Sequence, residues 1–332
     1  MDFLWTDFLG TAIWMWLSFL ALVILLLALD LGVLHKKNAE IGIRESFLLS
    51  AFYMSLGLAF GGWVWWQSGQ QAGLEYLTGF VVEKSLAMDN IFVIAMIFGY
   101  FAIPRAYQHR VLLWGILGVI VLRGIMIAAG ASIVENYHWV LYLFAAFLII
   151  TGIKMLLTAD KEYDVSGNPL LRFLRKHLPI TEKLEGHRFV VRREDVFSGK
   201  MKIYFTPLFL ALVMVELADL VFAVDSIPAV FAITTDPFIV YTSNIFAILG
   251  LRALYFALSA LIHRFAYLKY ALSVVLIFIG SKIFVADMLG LAKIPPMVSL
   301  GVTLAILGAG ILGSLWATRN EDKAGANTLA QE

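Results

Sequence analysis

The sequence predicts an all-α polytopic membrane protein of about nine transmembrane helices, and three observations predict it. First, 61% of the 332 residues are hydrophobic and only 15% are charged, against about 25% charged in an average soluble protein. Mean hydropathy is +0.85. Second, the apolar residues fall in long runs near the ~20 residues that cross a bilayer, not in amphipathic stripes. Third, a charged motif sits inside two of those runs. Glu83-Lys84-Ser85-Leu86-Ala87-Met88-Asp89-Asn90-Ile91-Phe92 is echoed by Asp219-Leu220-Val221-Phe222-Ala223-Val224-Asp225-Ser226-Ile227-Pro228. Glu83 matches Asp219 and Asn90 matches Ser226, while Ala87, Asp89 and Ile91 recur as Ala223, Asp225 and Ile227. An ionisable group at the centre of a membrane helix costs about 2.5–3.5 kcal/mol, so a matched pair of such sets points to function.

The spans are expected near 11–34, 46–67, 78–100, 109–131, 137–158, 204–233, 240–262, 268–289 and 297–317. Met1 to Asp7 carry no positive charge, so the first run reads as a retained span and not a signal peptide. Lys and Arg alternate between the short loops. Lys36, Lys37 and Arg44 lie on one side, with Arg105, Arg110, Arg264, Lys269, Arg319 and Lys323. The turns near 68–77, 132–136 and Asp236-Pro237 have none, and Lys293 is the exception. The positive-inside rule then places the N-terminus outside and the C-terminus in the cytoplasm.

Topology gives the echo its meaning. Residues 1–70 supply two N-terminal helices, 76–158 a first three-helix unit and 204–289 a second. The third helices carry Leu148-Ile149-Ile150-Thr151-Gly152-Ile153-Lys154 and Leu276-Ile277-Phe278-Ile279-Gly280-Ser281-Lys282, identical at four of seven positions. The middle helices align either Leu122-Arg123 with Leu251-Arg252 or Gly118 with Gly250, and the sequence does not choose. Three is odd, so the units enter from opposite sides. That makes them inverted repeats, an architecture that sets a site at the membrane midplane.

The remaining segments are polar. In the cytoplasmic loop 159–203, Leu170, Leu171 and Leu174 form a short apolar stripe that ends at Pro179, and Phe189–Arg193 pairs with Phe197–Tyr204 as a hairpin. The loop reads as a solvated connector on anionic lipid, or alternatively as a regulatory element. The final span is 297–317, and the tail 320–332 is expected to be disordered.

Positions seven apart share a helix face, so Glu83 and Asn90 face one way, as do Asp219 and Ser226. Asp89 and Asp225 sit about 100° to the side, and Glu216 lies on a neighbouring face. These are oxygen donors with no His or Cys, which suits hard divalent cations such as Mn²⁺, Mg²⁺ or Ca²⁺. Pro228 is expected to free the Val224 carbonyl as a further ligand. Lys84, Arg123, Lys154, Arg252 and Lys282 read either as counter-ions or as coupling groups, and Asp30 as a helix-end polar residue or a third contributor. Trp63, Trp65 and Trp66 read as an interfacial belt. With no cysteine, disulfides, thiolate ligands and sulfur redox chemistry are excluded. A formal net charge of +1 gives no hint of nucleic acid. No Ser/His or paired-His motif sits in a span, so an enzyme is not expected.

The motifs Glu83–Asn90 and Val215-Glu216-Leu217-Ala218-Asp219 through Ala229 resemble the two signatures of the TerC family of bacterial integral membrane proteins. Thr234–Val240 and Thr242–Ala253 resemble its Alx-like branch in particular. The resemblance covers roughly residues 20–315. It implies manganese export across the bacterial inner membrane, with Mn²⁺ as transported substrate and no resident cofactor. The wider grouping includes LysE-type exporters. Under it Glu83, Asp89, Glu216, Asp219 and Asp225 carry the family's acidic positions. Asp89 and Asp225 are the expected central ligands, completed by Asn90 and Ser226, with Glu83, Glu216 and Asp219 as outer ligands or proton carriers and protons as the coupled ion. The family's tellurium name implies little mechanism in a chain without thiols. The alternative is a scaffold that binds metal for partner or exported proteins without moving it.

Reporter fusions at Asp195 and Asn327 are expected to report the same, cytoplasmic, side. Opposite sides would show a miscounted span.

Overall fold

A computed structural model describes residues 2–32, 42–157, 165–194, 201–258, 268–291 and 294–329. It is 81% helical. The helices are α1 (Ile13–Gly32), α2 (Ile43–Tyr100), α3 (Arg105–Asn136), α4 (Val140–Leu157), α5 (Pro169–His177), α6 (Pro207–Phe231), α7 (Pro237–Leu249), α8 (Leu251–Leu258), α9 (Leu268–Met288) and α10 (Pro296–Leu329). Among the described residues, seven helical stretches are long and apolar enough to cross a membrane, α7 and α8 counting as one; the apolar part of α1 is shorter. Two small antiparallel hairpins complete the chain: β1 (Asp7–Phe8) with β2 (Thr11–Ala12), and β3 (Val190–Glu194) with β4 (Met201–Phe205).

Helix α2 is 58 residues long but breaks at Gly69, where φ is 91° and ψ 173°, a backbone that glycine alone adopts without strain. The chain doubles back there, so the expected loop at 68–77 is a one-residue break. Three glycines let the two arms approach. A Cβ on Gly57 would meet Phe80 at 2.6 Å, one on Gly61 would meet Tyr76 at 2.9 Å, and one on Gly73 would meet Trp65 at 2.6 Å. Tyr76 donates a hydrogen bond across the pair to the Gly57 carbonyl, 3.1 Å. Trp63 packs against Phe60 and Trp14, while Trp65 and Trp66 are exposed.

Cap–proline pairs start several helices. Asn168 accepts from Leu170 N, Thr206 from Phe209 N and Asp236 from Phe238 N, each with proline next in sequence. Such caps satisfy orphan amides, and proline at the first helical position loses nothing. Pro228 was expected to free the Val224 carbonyl, and as a proline inside α6 it has no N–H to give that oxygen. Pro228 lies three residues before the helix end, and the helix runs through it to Phe231. A break comes at Gly250, between α7 and α8.

The most extensive helix pair is α4 with α9. They run antiparallel, and their contacts are reciprocal. A Cβ on Gly152 would fall 2.8 Å from the Ser273 carbonyl and 2.7 Å from the Ile277 side chain. One on Gly280 would fall 2.6 Å from the Ala145 carbonyl and 2.9 Å from the Ile149 side chain. Ala145, Ile149 and Gly152 align with Ser273, Ile277 and Gly280 in the sequence repeat, so each glycine touches the counterparts of its own neighbours. Helix α2 packs on α7 and α8 while α3 packs on α6.

The two ends of the bundle differ. At one end, residues from the Gly69 break and the turns after α3, α6 and α9 surround a cavity of about 610 Å³, lined by Gln71, Glu75, His138, Thr235 and Asp287 among others. At the other end lies the 165–206 segment. Val165 and Leu171 are buried there with Phe101, Ile103 and Leu254. Arg110 stacks on Phe189 and Arg175 on Tyr100. The expected stripe and hairpin are present, but the segment is packed onto the helix ends and is not a free connector. Gly199 and Phe197 lie outside the described residues. Helix α10 continues as far as Leu329, through helix-favouring Glu321, Lys323, Ala324 and Ala326.

Gly280→Ala is expected to destabilise the protein by about 1–3 kcal/mol, because the new methyl meets backbone that cannot rotate away. Gly301→Ala, where a Cβ meets nothing within 4 Å, is the control. Melting curves in detergent check both.

Candidate functional site

Four helices converge on one guanidinium. Arg123 of α3 is 1% exposed. Its Nε and Nη2 donate to the two carboxylate oxygens of Asp219 on α6, at 3.1 and 3.0 Å. Its Nη1 donates to Glu83 on α2, to Asn244 Oδ1 on α7 at 2.8 Å and to Ser226 Oγ on α6 at 3.3 Å. Asn90 Nδ2 donates to Asp219 Oδ1 at 3.3 Å. The fork on Asp219 is the bidentate geometry that guanidinium favours.

The seven-residue spacing does its work here. Glu83 and Asn90 project from one face of α2, and Asp219 and Ser226 from one face of α6, into the same network. Four buried polar atoms in and beside this network stay unsatisfied. Glu83 Oε2, Asn90 Oδ1 and Glu216 Oε2 are buried acceptors without a hydrogen-bond partner, and so is the Asn244 Nδ2 donor. Buried polar groups are almost always paired, so each such atom needs an explanation. Glu216 is seated against α3, where a Cβ on Gly118 would collide with its carboxylate at 2.3 Å. Beside Asn90, Asp219, Gly115 and Arg252 lies a cavity of about 20 Å³, room for one water or one ion.

The other predicted residues fall elsewhere. Asp89 is half-buried near Lys269 of α9, and Asp225 is half-buried beside Thr151 and Lys154 of α4. Both acids therefore face the α4–α9 pair and not Arg123. Lys84 is buried and donates to the Ala247 carbonyl at 3.0 Å, close to Gly250, where a Cβ would crowd its ammonium at 2.9 Å. Gly118 and Gly250, aligned in one register of the repeat, thus each leave room for a charged side chain from a helix of the opposite unit. Arg252 lines the small cavity, and Lys282 donates to Ser299 Oγ at 3.3 Å on the wall of the large one. Asp30 lies in the last turn of α1, and its side chain is outside the described residues. Among the described residues, no three His, Cys, Asp or Glu side chains form a group that could hold a metal ion.

Sequence reasoning missed Asn244, Thr151 and Lys269. The signal for Asn244 was present: Thr242-Ser243-Asn244 is a polar run inside an apolar span, and all three are fully buried.

The fold and this centre define a multi-pass helical membrane protein with a buried charged network between its helices. The profile of the integral membrane protein TerC family matches residues 68–322, and the chain belongs to that family. It is 48% identical over 306 residues to an uncharacterized membrane protein, STKORF319, of Myxococcus xanthus, covering 92% of this chain and 93% of that one. It is 48% identical over 300 residues to an uncharacterized membrane protein of Rickettsia felis (90% and 97%). It is 44% identical over 318 residues to the putative membrane-bound redox modulator Alx of Escherichia coli (93% and 96%). No solved structure matches.

Asp219→Asn is expected to cost about 3–5 kcal/mol, because it leaves a buried guanidinium without its bidentate partner. Asp225→Asn, at a half-exposed pair, is expected to cost less than about 1 kcal/mol. Thermal melts of the two purified variants check the contrast.

Proposed function

We propose that the protein exports a hard divalent cation, Mn²⁺ in the first place, from the bacterial cytoplasm across the inner membrane, coupled to proton entry. The observation that carries the reading is the set of unpartnered buried oxygens, Glu83 Oε2, Asn90 Oδ1 and Glu216 Oε2, with a small cavity lined by Asn90 and Asp219 beside them. Such oxygens are ligands for a hard cation. Asp89 and Asp225, set to the side next to lysines, suit proton carriage or a flanking step of the path. This reverses the division of roles that the motif resemblance suggests.

The reciprocal α4–α9 contacts support the inverted-repeat reading. A two-fold axis in the membrane plane makes equivalent helices antiparallel and exchanges their neighbours, whereas an axis along the membrane normal would make them parallel. Taking α1, the two arms of α2 and the other spans together gives nine crossings. Alternating access then consists of one three-helix unit rocking against the other around the central network. The basic 165–206 segment supports a cytoplasmic side, and the cavity of about 610 Å³ at the opposite end, with Glu75 and Asp287 in its lining, an exit on the outside. Moving two charges out against 100 mV costs about 4.6 kcal/mol, twice the single-charge value, so a coupled proton is needed. A redox effect, the role named for the Alx relative, would act through metal supply, since the chain has no cysteine.

In proteoliposomes, Mn²⁺ flux is expected to follow an imposed pH gradient. Glu216→Gln is expected to cut it at least about tenfold, because hard-cation affinity follows ligand charge, while leaving the melting temperature unchanged or higher. Mn²⁺ binding without flux would favour the scaffold reading. Unaltered flux in Glu216→Gln would remove this residue from the site.

A further inference from the structure

We propose that Arg123 is a tethered cation: it fills the ligand cage when the transported ion is absent and leaves it when the ion binds. The inference rests on the transport reading above and assigns a regulatory part to one residue of the same site.

Three observations carry it. The guanidinium touches Glu83, Asp219 and Ser226, three of the oxygen donors that would hold the ion, together with Asn244. It uses both carboxylate oxygens of Asp219, so Asp219 cannot take a cation with full charge while the fork is in place. The network is nevertheless incomplete on its ligand side. Glu83 is 1% exposed and Asn90 4%, yet each keeps one buried acceptor without a partner. A purely structural ion pair in an apolar interior is stable only when its remaining lone pairs are satisfied. These are satisfied for Asp219 and left open for Glu83, Asn90 and Glu216.

The physical need is clear. A proton-coupled exporter must return after releasing its ion, carrying its protons and with this cage free of metal. A cage of carboxylates without a cation, buried in the bilayer, would hold the unloaded protein back by its own charge. A guanidinium on the middle helix of one unit, reaching acids on the first helix of each unit, offsets part of the negative charge of the empty cage and ties the two units together. An arriving divalent ion carries more charge than the fork and competes for the same oxygens. Release of Arg123 then reports loading to the α2–α3–α6 contacts. Lys84 cannot take this part, because its ammonium is bound to the Ala247 carbonyl at the α7–α8 break.

The test uses wild type, Arg123→Gln and Arg123→Lys, purified and reconstituted. Mn²⁺ affinity is measured by calorimetry, melting temperature with and without Mn²⁺, and net Mn²⁺ efflux against Mn²⁺/Mn²⁺ exchange. Removing the competitor is expected to tighten Mn²⁺ binding by roughly tenfold or more, the scale of one charge-assisted hydrogen bond. Arg123→Gln is expected to melt below wild type and to regain most of that loss with Mn²⁺. Its ratio of exchange to net efflux is expected to rise, because return of the empty form is the damaged step. Unchanged or weaker Mn²⁺ binding in Arg123→Gln, with wild type still transporting, would overturn the inference and leave the transport reading standing. Should Arg123→Gln fail to fold, Arg123→Lys decides: it keeps a point charge but loses the fork, so tighter binding than wild type supports the inference and equal or weaker binding overturns it. A wild type that neither binds nor moves Mn²⁺ would remove the transport reading and this inference with it.

Discussion

The arrangement of the bundle depends on one buried charge. Arg123 is 1% exposed, and it holds Glu83, Asp219, Ser226 and Asn244 at once. A buried ion pair adds little net stability, because desolvation offsets the Coulomb gain, but losing one partner is costly. The network therefore acts as a register. It fixes α3 against α2, α6 and α7 at one height, since a guanidinium fork tolerates little displacement. The glycines follow from the same constraint. Gly118 makes room for the Glu216 carboxylate, and Gly250 for the Lys84 ammonium, so charged groups can enter helix interfaces that would otherwise be closed by side chains.

Away from that centre, small residues do the packing. In lipid there is no hydrophobic drive between helices, and close backbone approach takes its place. Gly57, Gly61 and Gly73 close the α2 hairpin, and Gly152 and Gly280 close α4 on α9. The second pair also distinguishes the two acid sets. Asp89 and Asp225 look toward α4 and α9, whereas Glu83 and Asp219 look toward α3. Two matched motifs thus serve two environments, one sealed by an arginine and one bordered by lysines and Thr151.

Much of this was legible in the chain. Long apolar runs gave the membrane class, and the seven-residue spacing brought Glu83, Asn90, Asp219 and Ser226 to one place. The Gly152 and Gly280 repeat marked the α4–α9 contact. Three things were not legible. The break at Gly250 was missed, because Ile248-Leu249-Gly250-Leu251 lies inside an apolar run that reads as one continuous span. The turn near 68–77 was placed, but not its narrowing to the single residue Gly69, whose positive φ turns the chain inside a helix-compatible run. Finally, a list of basic residues cannot say which one reaches which acid. Arg123 was one of five candidates, and its place at the centre follows from α3 packing on α6, a contact between residues almost a hundred positions apart.

The most direct test of the account is to locate the ion. Anomalous scattering from crystals grown with saturating Mn²⁺ would do so. The account predicts a peak among Glu83, Asn90, Glu216 and Asp219, with the Arg123 guanidinium turned away from Asp219. A peak elsewhere, such as the large cavity beside Glu75 and Asp287, or none with Arg123 still forked onto Asp219, would contradict it.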